Sequence, residues 1–368
     1  MNEDEIARLL SQSFDAQARS QVPDDALPGP ARFLREPPRR VVSRILIPLA
    51  AAAVVAAVAV GVSVGRSADQ RVTGVGAPTT ARVTASAARS SVASPTSSSP
   101  VAPPVKKVHI KLLNSDGSEY GVGMPVIAYF SKRIKSGKAL QDATTVTVNG
   151  QAAKGAWFFE SSAAGNGPVE GHFRLQNYWP AHAKVHVGIP AKGLSAGPGL
   201  AYDDSLTLDF STGPKTVAIV NDATHKMTVT SDGKLYGTFG VSLGATKTPT
   251  FRGTKVIMEQ DRTTCMHDTN NTYYECGIKW DQRLTYSGEY LHAAPWNVSN
   301  INNGVNSSNG CTNLLPAVAE KLWHFMRVGD VVQYPNADGP AMQLGSGYGD
   351  WNVNWPQWQT GGLASTTR

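Results

Sequence analysis

Cysteine is scarce in this chain. Only three occur among 368 residues, Cys265, Cys276 and Cys311, all in the last third. The odd count fits one disulfide pair and one free thiol. No phosphate-cradling loop and no dinucleotide fingerprint appears, so nothing points to nucleotide chemistry. The formal net charge is +6, yet no Lys/Arg cluster with interleaved aromatics accompanies it, which argues against nucleic acid as a partner. A basic balance without such a patch suits an anionic cell envelope or a membrane surface.

Charge is also missing from one long stretch. Ile45 to Val64 is twenty residues of mainly Ala, Val and Ile, enough to cross a bilayer as a helix. Arg35, Arg39, Arg40 and Arg44 precede it, which predicts a cytoplasmic N-terminus and a single-pass anchor in the cytoplasmic membrane. A cleaved signal peptide is the competing reading. The long leader and the lack of a clean cleavage site weigh against it. With no cysteine beside the run, lipid attachment gains no support.

The remaining chain divides by composition. Residues 1–44 form a polar leader, 45–64 the membrane helix, and 65–106 a Ser/Thr/Ala/Pro-rich spacer that cannot bury a core. From Lys107 short alternating segments follow one another: 109–112, 126–130, 145–148, 157–159, 184–187 and 206–210. Short strands with Gly, Asn, Asp and Pro between them predict a β-sandwich over 107–213. A second β-rich domain is expected over 214–335, with strands at 216–221, 227–230 and 234–241. The last two are joined at Asp232-Gly233, a two-residue hairpin signal. One helix is predicted from Pro316 to Arg327, with Val318, Leu322, Phe325 and Met326 on one face. Its N-terminal amides are expected to favour a thiolate at Cys311 if the turn brings them near. Residues 336–368 form a tail with Trp351, Trp355 and Trp358, whose spacing suits a helical stripe that docks the tail onto its own domains. The expected fold is therefore mainly β, with two β domains behind a membrane anchor and one main helix in the second.

The chemistry concentrates at His292 and Ser308-Asn309-Gly310-Cys311-Thr312-Asn313. A thiol needs a nearby base to act as a nucleophile near neutral pH. Cys311 is the candidate nucleophile and His292 the candidate base. The N–H groups of Gly310 and Cys311 are candidate donors to an oxyanion. The motif resembles that of the L,D-transpeptidases of YkuD type. The flanks agree: Tyr286-Ser287-Gly288, Leu291-His292-Ala293-Ala294-Pro295-Trp296 and Gly329-Asp330-Val331-Val332. In that family a second catalytic His stands where this chain has Asn309, a candidate catalytic-loop residue that can donate and accept a hydrogen bond but cannot carry a proton. The segment Phe173 to Pro180 resembles part of the Ig-like domain that precedes the catalytic domain in actinobacterial members. Its Tyr178 and Trp179 are expected in the core rather than on a ligand platform.

The resemblance implies 3-3 cross-linking of peptidoglycan stem peptides through a Cys311 thioester. The donor is a tetrapeptide that loses its terminal D-Ala, and the acceptor is the amino group of a diamino acid. No cofactor is implied, and carbapenem-type β-lactams are the expected covalent inhibitors. Tyr274, eighteen positions before His292, falls where the family has a lid tyrosine. With Ser308, Asn313, Trp296 and Ala293 it makes the candidate substrate-binding set. Cys265 and Cys276 are expected to pair across the lid. A zinc site of Cys265, His267, Cys276 and His292 matches no common structural spacing, so no metal is expected there. Competing functions are an L,D-carboxypeptidase using water and a wall-binding protein with a decayed site. Sortase-like and papain-like enzymes are disfavoured: the Cys lies outside a Thr-Leu-x-Thr-Cys strand and follows the His.

Overall fold

The computed structural model describes residues 104–267 and 274–367. Among them no helix is long and apolar enough to cross a membrane. The apolar run at 45–64 lies outside them.

The first domain holds β1 (Lys106–Val108), β2 (Ile110–Leu112), β3 (Glu119–Tyr120), β4 (Val126–Phe130), α1 (Lys138–Ala143), β5 (Thr145–Val148), β6 (Gln151–Ala152), β7 (Gly155–Glu160), β8 (Val169–Leu175), β9 (Lys184–Ile189), β10 (Leu200–Tyr202) and β11 (Leu206–Thr212). Two sheets, β3-β11-β9-β5-β6 and β2-β4-β8-β7, enclose the core, and β1 pairs with β10. Trp157, Phe159, Phe130, Phe173 and Trp179 fill the space between them. Trp179 is a core residue whose indole N–H donates to Met124 O at 2.6 Å. Tyr178 is half-buried and meets Trp351 edge-on at 4.4 Å.

The second domain holds β12 (Thr216–Asn221), β13 (Lys226–Ser231), β14 (Lys234–Gly240), β15 (Gly253–Val256), β16 (Glu259–His267), β17 (Tyr274–Arg283), β18 (Tyr290–Ala293), α2 (Val298–Asn303), β19 (Thr312–Leu314), α3 (Pro316–Phe325) and β20 (Val331–Tyr334). Its sheets run β14-β13-β12-β20-β15 and β16-β17-β18-β19. Asp232 and Gly233 have φ of 48° and 76°, as a type I′ turn between β13 and β14 demands. The helix α3 starts at Pro316, where proline sacrifices no intrahelical bond, and buries Ala319 and Leu322.

The two domains pack directly. Gly123 N donates to Gly329 O at 2.9 Å and Gly121 N to Val328 O at 2.8 Å. A Cβ on Gly121 would stand 2.1 Å from Asp330 N, so only glycine permits this approach. The tail completes the joint. Its three tryptophans do not share one helical face: Trp351 sits in a 3₁₀ turn and Trp355 and Trp358 in the short α4 (Trp355–Trp358). They converge on Arg174 of β8, whose guanidinium carbon lies 4.5, 5.3 and 4.3 Å from the rings of Trp351, Trp355 and Trp358. Trp358 is fully buried, stacks on Phe158 at 4.9 Å and donates to Ala156 O at 2.9 Å.

Candidate active site

Strands β18 and β19 run parallel, with Leu291 opposite Thr312 and His292 opposite Asn313. Side chains alternate across a sheet, so Leu291, Ala293 and Leu314 enter the core beneath it. His292, Asn313 and Cys311 are left on the other face. Cys311 sits one residue before β19, beside Tyr290. A glycine must precede it, because Gly310 adopts φ +109°. Thr250 Oγ1 donates to Gly310 O at 2.8 Å and accepts from Gly244 N at 2.9 Å, which fixes the turn.

The thiol is buried under the β16–β17 hairpin. Met266 and Ile278 pack on Cys311 from the two lid strands, and Tyr290 flanks them. Burial pushes the thiol up to about 12, and the Tyr290 backbone hydrogen bond opposes this only in part. Sγ lies 3.5 Å from Gly288 O as a donor. His292 is also buried, and its desolvation lowers the imidazole from the ordinary 6.5. Its Nδ1–H donates to Ala293 O at 3.0 Å, which leaves Nε2 with the lone pair. Trp296 stacks on the imidazole at 5.9 Å. The resting pair is therefore a neutral thiol and a neutral imidazole, not hydrogen-bonded to each other.

Several predicted residues take other places than a substrate cleft. Ala293 is buried, and its carbonyl orients His292. Ser308 is buried too. Its hydroxyl donates to Cys311 O at 2.6 Å and accepts from Gly310 N at 3.1 Å. That bond occupies the Gly310 N–H, so of the two expected oxyanion donors it is the engaged one. Asn309 is exposed and makes no side-chain hydrogen bond among the described residues. Asn313 is buried with Oδ1 unpartnered, on the same face as the thiol. Tyr274 is 71% exposed at the end of β17, and Trp296 is 55% exposed. The helix α3 does not start at Cys311. Residues 312–314 form β19, so the helix begins only at Pro316, after a strand and a linking residue.

Cys265 and Cys276 face each other across the β16–β17 ladder and form a disulfide, leaving Cys311 as the free cysteine. Their sulfurs are thus spent, which removes the zinc arrangement with His267 and His292. Closing this short loop stabilises the hairpin by about 2–3 kcal/mol in the chain-entropy picture. Thiol titration of denatured, unreduced protein should find one reactive thiol per chain, rising to three after reduction. Three before reduction would dissolve the bridge.

Sequence reasoning missed a buried ion pair beneath the turn. Lys255 Nζ donates to Glu289 Oε2 at 2.5 Å and lies 4.0 Å from the Tyr334 ring centroid. Glu289 Oε1 accepts from Phe251 N at 2.7 Å. Lys255 is fully buried. Nothing in the sequence joins residues 34 positions apart, and a lone Lys in a strand reads as solvent-facing.

A β-sandwich packed on a mixed β domain, with a thiol after a positive-φ glycine and an imidazole on the same sheet face, resembles the layout expected of a two-domain L,D-transpeptidase. Comparison with known proteins agrees. Residues 215–333 match YkuD, the L,D-transpeptidase catalytic domain, and residues 62–195 match a bacterial Ig domain. The chain thus carries a YkuD-type L,D-transpeptidase catalytic domain and a bacterial Ig-like domain. It is 28% identical over 259 residues to L,D-transpeptidase 2 of Mycobacterium tuberculosis, covering 68% of this chain and 61% of that protein. It is 29% identical over 261 residues to L,D-transpeptidase 5 of the same species, covering 69% and 56%. The match thus spans only about three-fifths of these two curated relatives. A solved L,D-transpeptidase in complex with imipenem is 26% identical with a TM-score of 0.50, covering 64% of this chain and 100% of that one. An L,D-transpeptidase from Mycobacterium smegmatis, 22% identical with a TM-score of 0.50, covers 63% and 100% and shows the shared fold.

Proposed function

We propose that this protein is a peptidoglycan L,D-transpeptidase that forms 3-3 cross-links through a Cys311 thioester. The observation that carries the reading is the β18–β19 register, which sets Cys311 and His292 on one face of one sheet. His292 Nε2 takes the thiol proton as Sγ attacks the carbonyl of a tetrapeptide stem. The Cys311 N–H is the backbone donor for the resulting oxyanion. Collapse expels D-Ala, which takes the proton back from the imidazolium. The amine of a neighbouring diamino acid then attacks the thioester, His292 accepts its proton, and collapse breaks the C–S bond, the departing Cys311 sulfur taking that proton back. The bond energy is kept in the thioester, so no nucleotide is consumed. The imipenem complex of the related structure supports carbapenems as acylating inhibitors. We place the domain on the outer side of the cytoplasmic membrane, anchored by residues 45–64.

The deciding assay is incubation with a disaccharide-tetrapeptide and analysis of products by mass spectrometry. A cross-linked dimer with free D-Ala is expected. Tripeptide alone would make the protein a carboxypeptidase, and unchanged substrate would leave it a wall-binding protein.

Asn309 offers a separable test. Since its side chain is exposed and unpartnered, Asn309→His should leave the melting temperature unchanged and add a titrating group at the mouth of the site. The expected outcome is an altered pH profile of carbapenem acylation. An unchanged profile would make position 309 a loop residue without a share in the chemistry.

A further inference from the structure

The Ig-like domain carries a second concentration of chemistry that the transpeptidase reaction does not use. Strands β7 and β8 pair with Glu160 opposite Glu170 and Phe158 opposite His172. Alternation turns Trp157, Phe159 and Phe173 into the sandwich core. Glu160, Glu170 and His172 therefore project from the outer face, where the C-terminal tail covers them. They are 7%, 0% and 1% exposed. One potential ligand atom from each lies within 4.8 Å of the other two.

The polar atoms here are poorly satisfied. Both oxygens of Glu160, Oε1 of Glu170 and Nε2 of His172 are buried without a hydrogen bond. His172 Nδ1–H donates to Asp350 Oδ1 of the tail at 2.7 Å. That bond fixes the ring and leaves Nε2 facing Glu170 Oε1, 3.4 Å away, and Glu160 Oε1, 4.0 Å away, where a cation can replace a proton. Ser162 Oγ donates to the other oxygen of Glu170 at 2.8 Å. A carboxylate behind an imidazole whose far nitrogen faces other carboxylates is the usual outer shell of a metal-binding histidine. Three buried carboxylates, Glu160, Glu170 and Asp350, crowd round one imidazole, with an oxygen of each 4.0, 3.4 and 2.7 Å from a His172 nitrogen.

We propose that Glu160, Glu170 and His172 bind a structural divalent transition-metal ion, Zn²⁺ by the donor set, with Asp350 orienting the imidazole. One imidazole nitrogen and two carboxylates suit zinc, with the second Glu160 oxygen free to complete four ligands. Calcium takes six to eight oxygens, more than these residues offer. The site is closed to solvent, so the ion holds structure rather than substrate. It fastens the outer face of the sandwich to Asp350 of the tail.

The test uses the untagged full chain, dialysed against ZnCl₂ and then metal-free buffer, with metal measured by inductively coupled plasma mass spectrometry. About one zinc per chain is expected. A chelator should lower Tm by roughly 5–10 °C and added Zn²⁺ should restore it, while CaCl₂ should not. His172→Asn and Glu170→Gln should lose the zinc. If either fails to fold, the isosteric Glu160→Gln, checked for native circular dichroism, should show the same loss. Cys311→Ala should keep the zinc, which separates this site from the active-site thiol. The proposal is overturned if the chain keeps no zinc, if the variants keep it, or if Tm responds to pH but not to chelator. That last pattern marks three side chains that merely share protons.

Discussion

Replacing Cys311 with alanine is expected to abolish both dimer formation from stem peptides and the covalent carbapenem adduct. The other two cysteines are joined to each other, so no second sulfur can substitute. The fold should survive. The thiol's hydrogen bonds, to Gly288 O and with the Tyr290 backbone, are weak, and its removal takes only a small contact from Met266 and Ile278. An adduct mass persisting on the variant would place the nucleophile elsewhere, whereas loss of the adduct together with loss of native circular dichroism would call for Cys311→Ser as a replacement test.

His292→Ala should slow acylation by roughly two to four orders of magnitude, the usual contribution of a positioned base. This corresponds to about 3–5 kcal/mol of barrier. In the proposed mechanism the imidazole must be neutral to accept the thiol proton. Burial lowers the imidazole below 6.5, so the neutral form is already dominant at pH 7, and the rate should fall only as pH drops below 6.5. The variant should lose that acid limb along with its rate. The same depression has a stability sign. The unfolded chain binds a proton at His292 more readily than the folded chain, so folding is weakened as pH falls below 6.5. Near-normal acylation by the variant would make His292 a structural residue that holds Trp296 and Ala293.

Much of this fold was legible because its strands obey simple alternation. Residues 184–189 and 206–212 bury every second side chain, and Asp232-Gly233 announces its own turn. The strand Val169–Leu175 was hard to read for the opposite reason: it is buried on both faces although Glu170, His172 and Arg174 alternate along it. A polar face normally means solvent, and here the tail covers it. The lid was equally opaque. Residues 259–267 read Glu-Gln-Asp-Arg-Thr-Thr-Cys-Met-His, with no apolar period, and pair with 274–283 across a long hairpin. In the site, His292 and Cys311 stood out by their motif, but the residues that hold them in place did not. Lys255, Thr250 and Glu289 act through contacts that only the folded chain creates, and Ser308 and Ala293 work inward on the loop rather than outward on a ligand.

The tail carries a consequence for how the molecule is made. His172 and Arg174 find their partners at Asp350 and Val353, 178 and 179 residues further along the chain. Until residues 350–358 are present, these side chains and two glutamates stay open to water and lack the partners that their burial requires. The boundary visible in composition near residue 213 is therefore not where a folding unit closes. A ribosome that releases this chain from its N-terminus delivers a sandwich that waits, incomplete, for Trp351, Trp355 and Trp358. A fragment ending there should be soluble only as a loosened domain, with its outer β7–β8 face open to hydrogen exchange.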